Sequence, residues 1–198
     1  MSKNFLEYAY DAFKIESESI LKTGEILNKD ELEKAVVALA KAPRIASSGC
    51  GHSGIACRHF AHLMCCIERP ARFLSPAEAV HGGLGYLQKG DVVLLVSRGG
   101  KTDELIPIAK VCKDKGVTII TVTENAASPL AEIADIVLLM YISKECDKYN
   151  CQGTTSFAVT NAIFDAIQAS LVEYTEFQNE EFAIIHPGGA VGKRLNSK

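Results

Sequence analysis

Four ionisable side chains in this sequence lie in or beside loops, where they could move protons. They are His81, Glu104, Glu145 and His186. Carboxylates and imidazoles suit general acid–base catalysis, because their pKa values can be tuned towards neutral pH. Each also has an ordinary explanation: a histidine after a turn is more often a hydrogen-bonded structural residue, and a glutamate at a helix start often only favours the helix dipole. The four are candidates for an acid–base site if the fold brings their loops together.

The segment 97–104, SRGGKTDE, has the composition of a small phosphate site. Ser97 and Thr102 supply hydroxyls, Gly100 lets the backbone approach an anion, and Lys101 supplies positive charge. Thr102 is predicted to cap a helix that begins there, and the N-terminus of that helix would add free N–H groups. The spacing is not G-x-x-x-x-G-K-[ST], so nucleoside triphosphate hydrolysis is not implied. A tight turn with an ordinary N-cap is the alternative.

A second glycine-rich loop, GCGHSG at 49–54, has the formal spacing G-x-G-x-x-G. A dinucleotide site also requires a carboxylate near the end of the following strand, where it binds the ribose hydroxyls. In this chain Ser75 and Pro76 follow that strand, and the first acid is Glu78. The sequence therefore disfavours a dinucleotide, and no cofactor is predicted.

Short β-like runs alternate with helical runs along most of the chain, and these elements must position the loops. The predicted strands are 44–48, 71–74, 91–97, 117–123 and 135–141, and the predicted helices are 3–27, 30–41 (with Asn28 as N-cap), 53–67, 102–115, 128–134 and 155–173. This alternation predicts an α/β fold, a flavodoxin-like five-stranded parallel sheet flanked by helices, with strand order 2-1-3-4-5. We expect a single domain over 1–198, with an N-terminal helical segment at about 1–41. Ligands of such sheets bind beyond the C-terminal strand ends, here at 47–54, 75–85, 97–104 and 142–156.

Composition disfavours several classes of protein. The 198 residues include 21 Lys and Arg against 24 Asp and Glu, with no basic block, so nucleic acid is not an expected partner. The longest apolar run, 136–142, is far too short to cross a membrane. Seven scattered cysteines without a CxxC pair indicate free thiols in a reducing compartment and no structural zinc site. We expect a soluble, cytoplasmic protein.

Five motifs resemble those of the sugar isomerase (SIS) domain and, within that superfamily, those of the arabinose-5-phosphate isomerase group. Together they run through almost the whole chain. They are Gly49-x-Gly51-x-Ser53-Gly54; Pro76-Ala77-Glu78-Ala79-x-His81-Gly82 with Leu84-Gly85; Ser97-x-x-Gly100-x-Thr102-Asp103-Glu104; Lys144-Glu145 with Thr154-Thr155-Ser156; and His186-Pro187-Gly188-Gly189-Ala190-x-Gly192. The last motif is the most diagnostic of that group.

The resemblance implies the SIS fold and a cofactor-free aldose–ketose isomerase, which moves a proton between C1 and C2 of a sugar phosphate through an enediol. It implies that His81, Glu104, Glu145 and His186 share a site built partly across the subunits of a homo-oligomer, which we expect to be a tetramer. The residues implied to bind the phosphosugar are Gly51, Ser53, Ser97, Gly100, Lys101, Thr102, Thr154, Thr155 and Ser156. We favour Glu145 as the base, with His186 assisting ring opening, and Glu104 is the alternative base.

The chain departs from the family pattern at the site. His52 stands where the first glycine loop of the family typically has lysine, so a permanent cation is replaced by a group that is charged only part of the time. We count His52 among the catalytic candidates. Arg98 and Gly99 replace the usual Asn and Ser, and we expect Arg98 and Lys101 to supply positive charge instead of the lost donors. The tandem regulatory (CBS) domains that often follow in this family are expected to be lacking.

Two other functions stay open. One is an SIS domain that binds a phosphosugar as a sensor without catalysis. The loss of the lysine favours it, and the retention of all four ionisable positions disfavours it. The other is a zinc or nickel site at a convergence of His52, His81 and His186, although we predict no metal.

The N-terminal helix supports the expectation of a homo-oligomer, because its apolar face has little to pack on in a lone five-stranded domain. The apolar positions of that face are Phe5, Tyr8, Ala12, Ile15 and Ser19.

Overall fold

Apolar and β-branched runs form the five strands of one parallel sheet, which confirms the predicted α/β, flavodoxin-like architecture. The computed structural model describes residues 4–197. The strands are β1 (Ile45–Gly49), β2 (Ala71–Phe73), β3 (Val92–Val96), β4 (Thr118–Thr123) and β5 (Ile136–Leu139). Their order in the sheet is β2-β1-β3-β4-β5. The strand order therefore reverses between β1 and β3, which is where ligands of such sheets bind.

Helices cover both faces of the sheet. They are α1 (Phe5–Ile26), α2 (Lys29–Lys41), α3 (Gly51–Cys65), α4 (Pro76–Ala79), α5 (Ile106–Lys115), α6 (Pro129–Ile133), α7 (Thr154–Thr175), α8 (Asn179–Ile185) and α9 (Gly189–Asn196), with a 3₁₀ helix at Gly83–Tyr86. Asn28 caps α2 as predicted, since its Oδ1 accepts a hydrogen bond from the Glu31 backbone N–H at 3.1 Å. The short helices α8 and α9 follow the last helix that the sequence pattern indicated.

The start of α5 corrects one prediction. This helix begins at Ile106, not at residue 102, and its N-cap is Leu105, which makes no side-chain capping bond. The physical reason is Pro107, which is tolerated only in the first turn of a helix, where its missing N–H is not needed. Thr102 therefore does not cap α5, and residues 97–105 form consecutive turns in which Gly100 N–H bonds to Ser97 O and Leu105 N–H bonds to Thr102 O.

The core lies on both sides of the sheet, which explains the continuous apolar runs in the strands. In β3, Leu94 faces the cluster beneath α2, α3 and α7, whereas Leu95 faces the cluster beneath α5. All five residues of β3 are buried. The first cluster includes a tilted aromatic pair, Phe60 and Phe164, whose ring centroids are 4.7 Å apart. Burial on both faces is what makes a central parallel strand uniformly apolar.

Helix α1 is attached to the rest of the chain mainly through its C-terminal half. Ser19 and Thr23 are buried there, and Thr23 Oγ1 accepts a hydrogen bond from Tyr141 N–H at 2.9 Å. The N-terminal half leaves large apolar side chains in solvent, including Phe5, Tyr8 and Phe13. Over residues 4–197, no helix combines the length and the apolar character that crossing a membrane requires.

Candidate active site

The glycine loop that follows β1 turns sharply into α3. Cys50 is the N-cap of that helix, and the loop leaves no space for side chains at two of its glycines. A Cβ on Gly54 would lie 2.6 Å from the Gly49 carbonyl oxygen, and a Cβ on Gly49 would lie 2.9 Å from the Ser53 carbonyl carbon. The close approach of β1 and α3 therefore requires these two glycines. Their presence is explained by this packing and does not indicate a nucleotide site.

An open cleft of about 380 Å³ lies beside this loop. Its walls come from residues 49–51, from Ser75 to Ala77 after β2, and from Glu104 and Arg58. Burial, and to a smaller extent the charge of Glu104, raises the pKa of the Cys50 thiol. Of the two candidate bases, Glu104 is the one whose side chain faces this cleft in a single chain.

The loop after β3 brings the two predicted phosphate hydroxyls together. Ser97 Oγ and Thr102 Oγ1 are 2.7 Å apart, within hydrogen-bond distance. Gly100 has a left-handed backbone (φ +66°), and a Cβ there would collide with the Ser128 side chain, so the turn depends on this glycine. Lys101 is exposed in the same turn. Because α5 begins only at Ile106, Thr102 precedes its N-cap, Leu105, by three residues, and the two are joined by the bond from Leu105 N–H to Thr102 O. The contribution of the helix N–H groups to a phosphate site stays a prediction.

Glu145 is buried and fully hydrogen-bonded. Its Oε1 accepts from Arg98 Nη1 at 2.8 Å, and its Oε2 accepts from Thr154 Oγ1 at 3.3 Å and from Ser156 N–H at 3.2 Å. Only 1% of the side chain is exposed. Burial alone would raise the pKa of Glu145, but the hydrogen bonds from Ser156 and the charge of Arg98 outweigh it and hold the pKa below its usual range. Glu145 is therefore a charged, immobilised carboxylate in the free protein.

The start of α7 and the loop before it form the support for Glu145. Thr154 Oγ1 accepts a hydrogen bond from Cys146 N–H at 2.9 Å, and Thr155 Oγ1 lies 3.4 Å from the Cys146 thiol. Asn150 accepts a hydrogen bond from Glu145 N–H at 2.6 Å. The Asp147 carboxylate accepts backbone N–H groups of residues 149, 151 and 152, which lower its pKa, the largest effect coming from residue 152. The predicted residues Thr154 and Ser156 thus contact Glu145 directly, and Thr155 contacts its neighbour.

His52 lies in a different cleft from Glu104. It is exposed in the first turn of α3, next to Ser53, and its ring makes an edge contact with Phe157 at a centroid distance of 6.2 Å. The cleft that it lines, of about 600 Å³, is formed by α1, α3 and the start of α7, including Glu16 and Thr154. A single chain therefore places His52 and Glu104 in two different clefts.

The other two histidines are also apart from the glutamates. His81 is exposed after α4, and its backbone N–H bonds to Glu78 O. His186 ends α8 and packs on Phe182 with ring centroids 5.0 Å apart, and its buried Nδ1 has no partner among residues 4–197. Within that range, no side-chain hydrogen bond joins either histidine to Glu104 or Glu145. No group of three or more His, Cys, Asp or Glu in the described chain could hold a metal ion, so His52, His81 and His186 do not converge within it.

Arg98 has a role that sequence reasoning missed. Its Nε donates to Glu124 Oε2 at 3.0 Å while its Nη1 donates to Glu145, so the guanidinium bridges two carboxylates. In this structure the guanidinium of Arg98 is thus paired with two carboxylates, and the expectation that it supplies positive charge to a phosphate stays a prediction. A weak signal was present in the sequence: Glu124 directly follows β4, so its carboxylate belongs to the same edge of the sheet.

Comparison with known protein families identifies the family of this chain. The family model described as the SIS domain matches residues 38–170, more than half of the chain. The chain belongs to the SIS domain family. The predicted resemblance is confirmed, and the glycine loop, the loop after β3 and the Glu145 region all fall inside the matched range.

Relatives of this SIS domain carry more specific names. A protein named arabinose 5-phosphate isomerase KdsD, from Pseudomonas aeruginosa, is 34% identical over 98% of this chain and 60% of its own length. Arabinose 5-phosphate isomerase KpsF from Escherichia coli is 38% identical over 75% of this chain and 47% of its own. This SIS domain therefore spans about half to three fifths of the length of these curated relatives.

Two solved structures match almost all of this SIS domain. One, from Listeria monocytogenes, is 41% identical with a TM-score of 0.91, and the match covers 95% of this chain and 100% of that chain. The other is E. coli CFT073 c3406 in complex with arabinose 5-phosphate, 26% identical with a TM-score of 0.87, covering 94% of this chain and 100% of that chain.

Proposed function

We propose that this SIS domain is an aldose–ketose isomerase that acts on arabinose 5-phosphate or a closely similar sugar phosphate. The observation that carries the proposal is the connection between two loops. The loop with the paired hydroxyls of Ser97 and Thr102 is joined through Arg98 to Glu145, a buried carboxylate at the same edge of the sheet. The names of the relatives and the arabinose 5-phosphate complex of one structural neighbour support this substrate class.

In this proposal the phosphate binds to the hydroxyls and backbone of the loop after β3, and the sugar lies towards the glycine loop. Glu145 removes the proton from C2 of the open-chain aldose, the electron pair of that C–H bond forms the C1=C2 bond of an enediol, and the C1=O electron pair moves to O1. A proton then passes from O2 to O1, the C2=O bond forms, and the carboxyl group returns its proton at C1. His186 assists ring opening. Glu104, which faces the cleft, is the alternative base.

We also propose that the functional site is completed in a homo-oligomer, which we take to be a tetramer. Two observations support this. His186 lies on the α8–α9 unit, whose main packing is of the two helices on each other, and it makes no side-chain hydrogen bond with either glutamate in the described chain. The exposed apolar side chains of α1, such as Phe5 and Phe13, provide a surface that a second copy would bury. The seven free thiols support a cytoplasmic location.

The test of the proposed function is conversion of arabinose 5-phosphate to its ketose by the purified chain, followed by product analysis. Incubation in D₂O adds a second readout, because a base that exchanges its proton with solvent introduces deuterium into the sugar. Conversion or deuterium incorporation is expected. Tight binding of arabinose 5-phosphate with neither would refute the isomerase.

A second function is favoured by one observation. Every oxygen of Glu145 is already engaged by Arg98, Thr154 and Ser156, which is how a residue that only shapes a binding site would be held. A phosphosugar sensor without catalysis predicts the binding-only result of the same experiment.

A further inference from the structure

The bridge from Arg98 to two carboxylates has a consequence for phosphate binding. The backbone of Arg98 is fixed, because its carbonyl accepts hydrogen bonds from Thr123 Oγ1 and from Glu124 N–H, both at 2.9 Å. The side chain is long, and about a third of it is exposed (34%). The guanidinium can therefore change partners by rotating its side chain while the loop stays in place.

The charge balance at this edge favours such a change. Two carboxylates on one guanidinium leave this cluster with a net negative charge, and Arg98 shares its loop with Lys101 and with Ser97 and Thr102, the hydroxyls proposed to receive the phosphate. A phosphate dianion carries more charge than a carboxylate, and its oxygens match the planar fork of arginine equally well. Arg98 belongs to the same loop as those hydroxyls, so it is the nearest guanidinium in sequence that can compensate the incoming charge.

We propose that Arg98 is a positioning residue that exchanges Glu145 for the substrate phosphate, so that phosphate binding releases Oε1 of Glu145 to act as the base. This inference rests on the proposed function, and it deepens it by linking recognition of the phosphate to activation of the base. The proton balance is closed in two transfers. The C2–H bond breaks, its proton passes to the released Oε1, its electron pair forms the C1=C2 bond, and the C1=O electron pair moves to O1. The hydroxyl proton of O2 then passes to O1, the C2=O bond forms, and the same carboxyl group gives its proton back at C1. Without phosphate, Arg98 keeps Glu145 paired and the base is not available.

Few other charges contribute around Glu145. Glu124 lies on the far side of the guanidinium, and it competes with the phosphate in the same way as Glu145 does. The carboxylate of Asp147 is taken up by backbone N–H groups of its own loop. The thiol of Cys146 lies 3.4 Å from Thr155 Oγ1, 3.6 Å from Glu16 Oε1 and 3.7 Å from Ala12 O, and it makes no hydrogen bond to Glu145. Among residues 4–197, Arg98 is thus the charged side chain that forms an ion pair with Glu145.

The test is a double-mutant cycle on the affinity for inorganic phosphate, measured by calorimetry at constant ionic strength. Glu145→Gln removes the competitor of the phosphate for Arg98, and we expect it to tighten phosphate binding about tenfold, the weight of one charge-assisted hydrogen bond. Arg98→Gln is expected to weaken phosphate binding about tenfold. In the Arg98→Gln background, Glu145→Gln should add no more than about a twofold change, which is the direct repulsion between its charge and the phosphate. Arg98→Lys should recover part of the affinity.

A matched control is Asp91→Asn, which removes a buried carboxylate from another arginine, Arg44, at the opposite edge of the sheet. It should leave phosphate affinity unchanged.

Two outcomes of the cycle would overturn the proposal. If Glu145 merely held Arg98 in position for the phosphate, Glu145→Gln would weaken phosphate binding instead of tightening it. Glu145→Gln would also overturn it by tightening phosphate binding equally in the wild-type and Arg98→Gln backgrounds. Should Arg98→Gln fail to fold, Arg98→Lys takes its place in the cycle, with the coupling expected to shrink. An intact coupling in a chain that does not convert arabinose 5-phosphate would refute the isomerase while leaving the exchange of partners in place.

Discussion

Glu145→Gln and Asp91→Asn form a matched pair that separates chemistry from stability. Both carboxylates are 1% exposed, and both contact an arginine that reaches solvent. Glu145 Oε1 is 2.8 Å from Arg98 Nη1, and Asp91 Oδ2 is 3.0 Å from Arg44 Nη2. Both substitutions exchange one oxygen for an amide group and remove one charge. The two residues differ in location, because Asp91 precedes β3 and Glu145 follows β5, at opposite ends of a parallel sheet.

The expected loss of stability is similar for both. Removing one partner of a fully buried ion pair costs about 3–5 kcal/mol, whereas an exposed pair contributes about 0–1 kcal/mol. The arginines are 34% and 40% exposed, so solvent compensates part of the orphaned charge, and we expect about 1–3 kcal/mol in each case. In a chain of this size, 1 kcal/mol corresponds to about 2–4 °C in melting temperature. Both variants should therefore melt about 2–12 °C below the wild type.

Turnover should differ sharply between them. A general base contributes at least about a hundredfold to the rate, so Glu145→Gln should lose that factor in kcat while Asp91→Asn stays close to the wild-type rate. The assay is conversion of arabinose 5-phosphate to its ketose, at a temperature well below both melting transitions. If Glu145→Gln remains active and Glu104→Gln is inactive, the assignment of the base is wrong and the two glutamates exchange roles. Equal losses of turnover in the matched pair would show that general stability was being measured.

Further outcomes are expected at the same site. Thr102→Ala should weaken phosphosugar binding about tenfold, because a charge-assisted hydrogen bond is lost, and unchanged affinity by calorimetry would place the phosphate elsewhere. Gly100→Ala should destabilise the fold by about 1–3 kcal/mol in urea titration, since its backbone has φ +66° and its Cβ would collide with Ser128; a stable variant would contradict the geometry of the turn. The pKa of Glu145 lies below its usual 4.5, so the charged carboxylate contributes its full stabilisation above pH 4.5 and loses it as the pH falls through the folded-state pKa. Glu145→Gln should therefore reduce the loss of unfolding free energy at low pH. An unchanged dependence of that free energy on low pH would refute this. His52→Lys should keep or raise isomerase activity if a cation is needed at the glycine loop, and a loss of activity with normal folding would favour the neutral, space-filling role.

The sequence by itself determined the sheet and the local loops. Uniformly apolar runs such as β3 are typical of central strands covered on both faces, and the alternation with helices restricts the connections, which together predict the observed strand order. Ser97 and Thr102 also came together as expected, because they are five residues apart in one tight turn whose conformation is dictated locally by Gly100. The late start of α5 is also encoded locally, since Pro107 fits only the first turn of a helix.

Only the tertiary structure decided which charges pair. Arg98 is 26 residues from Glu124 and 47 from Glu145, and their contact depends on how three different strand ends are placed next to each other. Sequence patterns report which residues face a common edge, but side chains at that edge choose partners by distances of a few ångströms, which no periodicity encodes. For the same reason His52 and Glu104, both correctly expected near the strand ends, lie in two different clefts: the rotation of α3 about its own axis sends the His52 side chain towards Phe157 and α7.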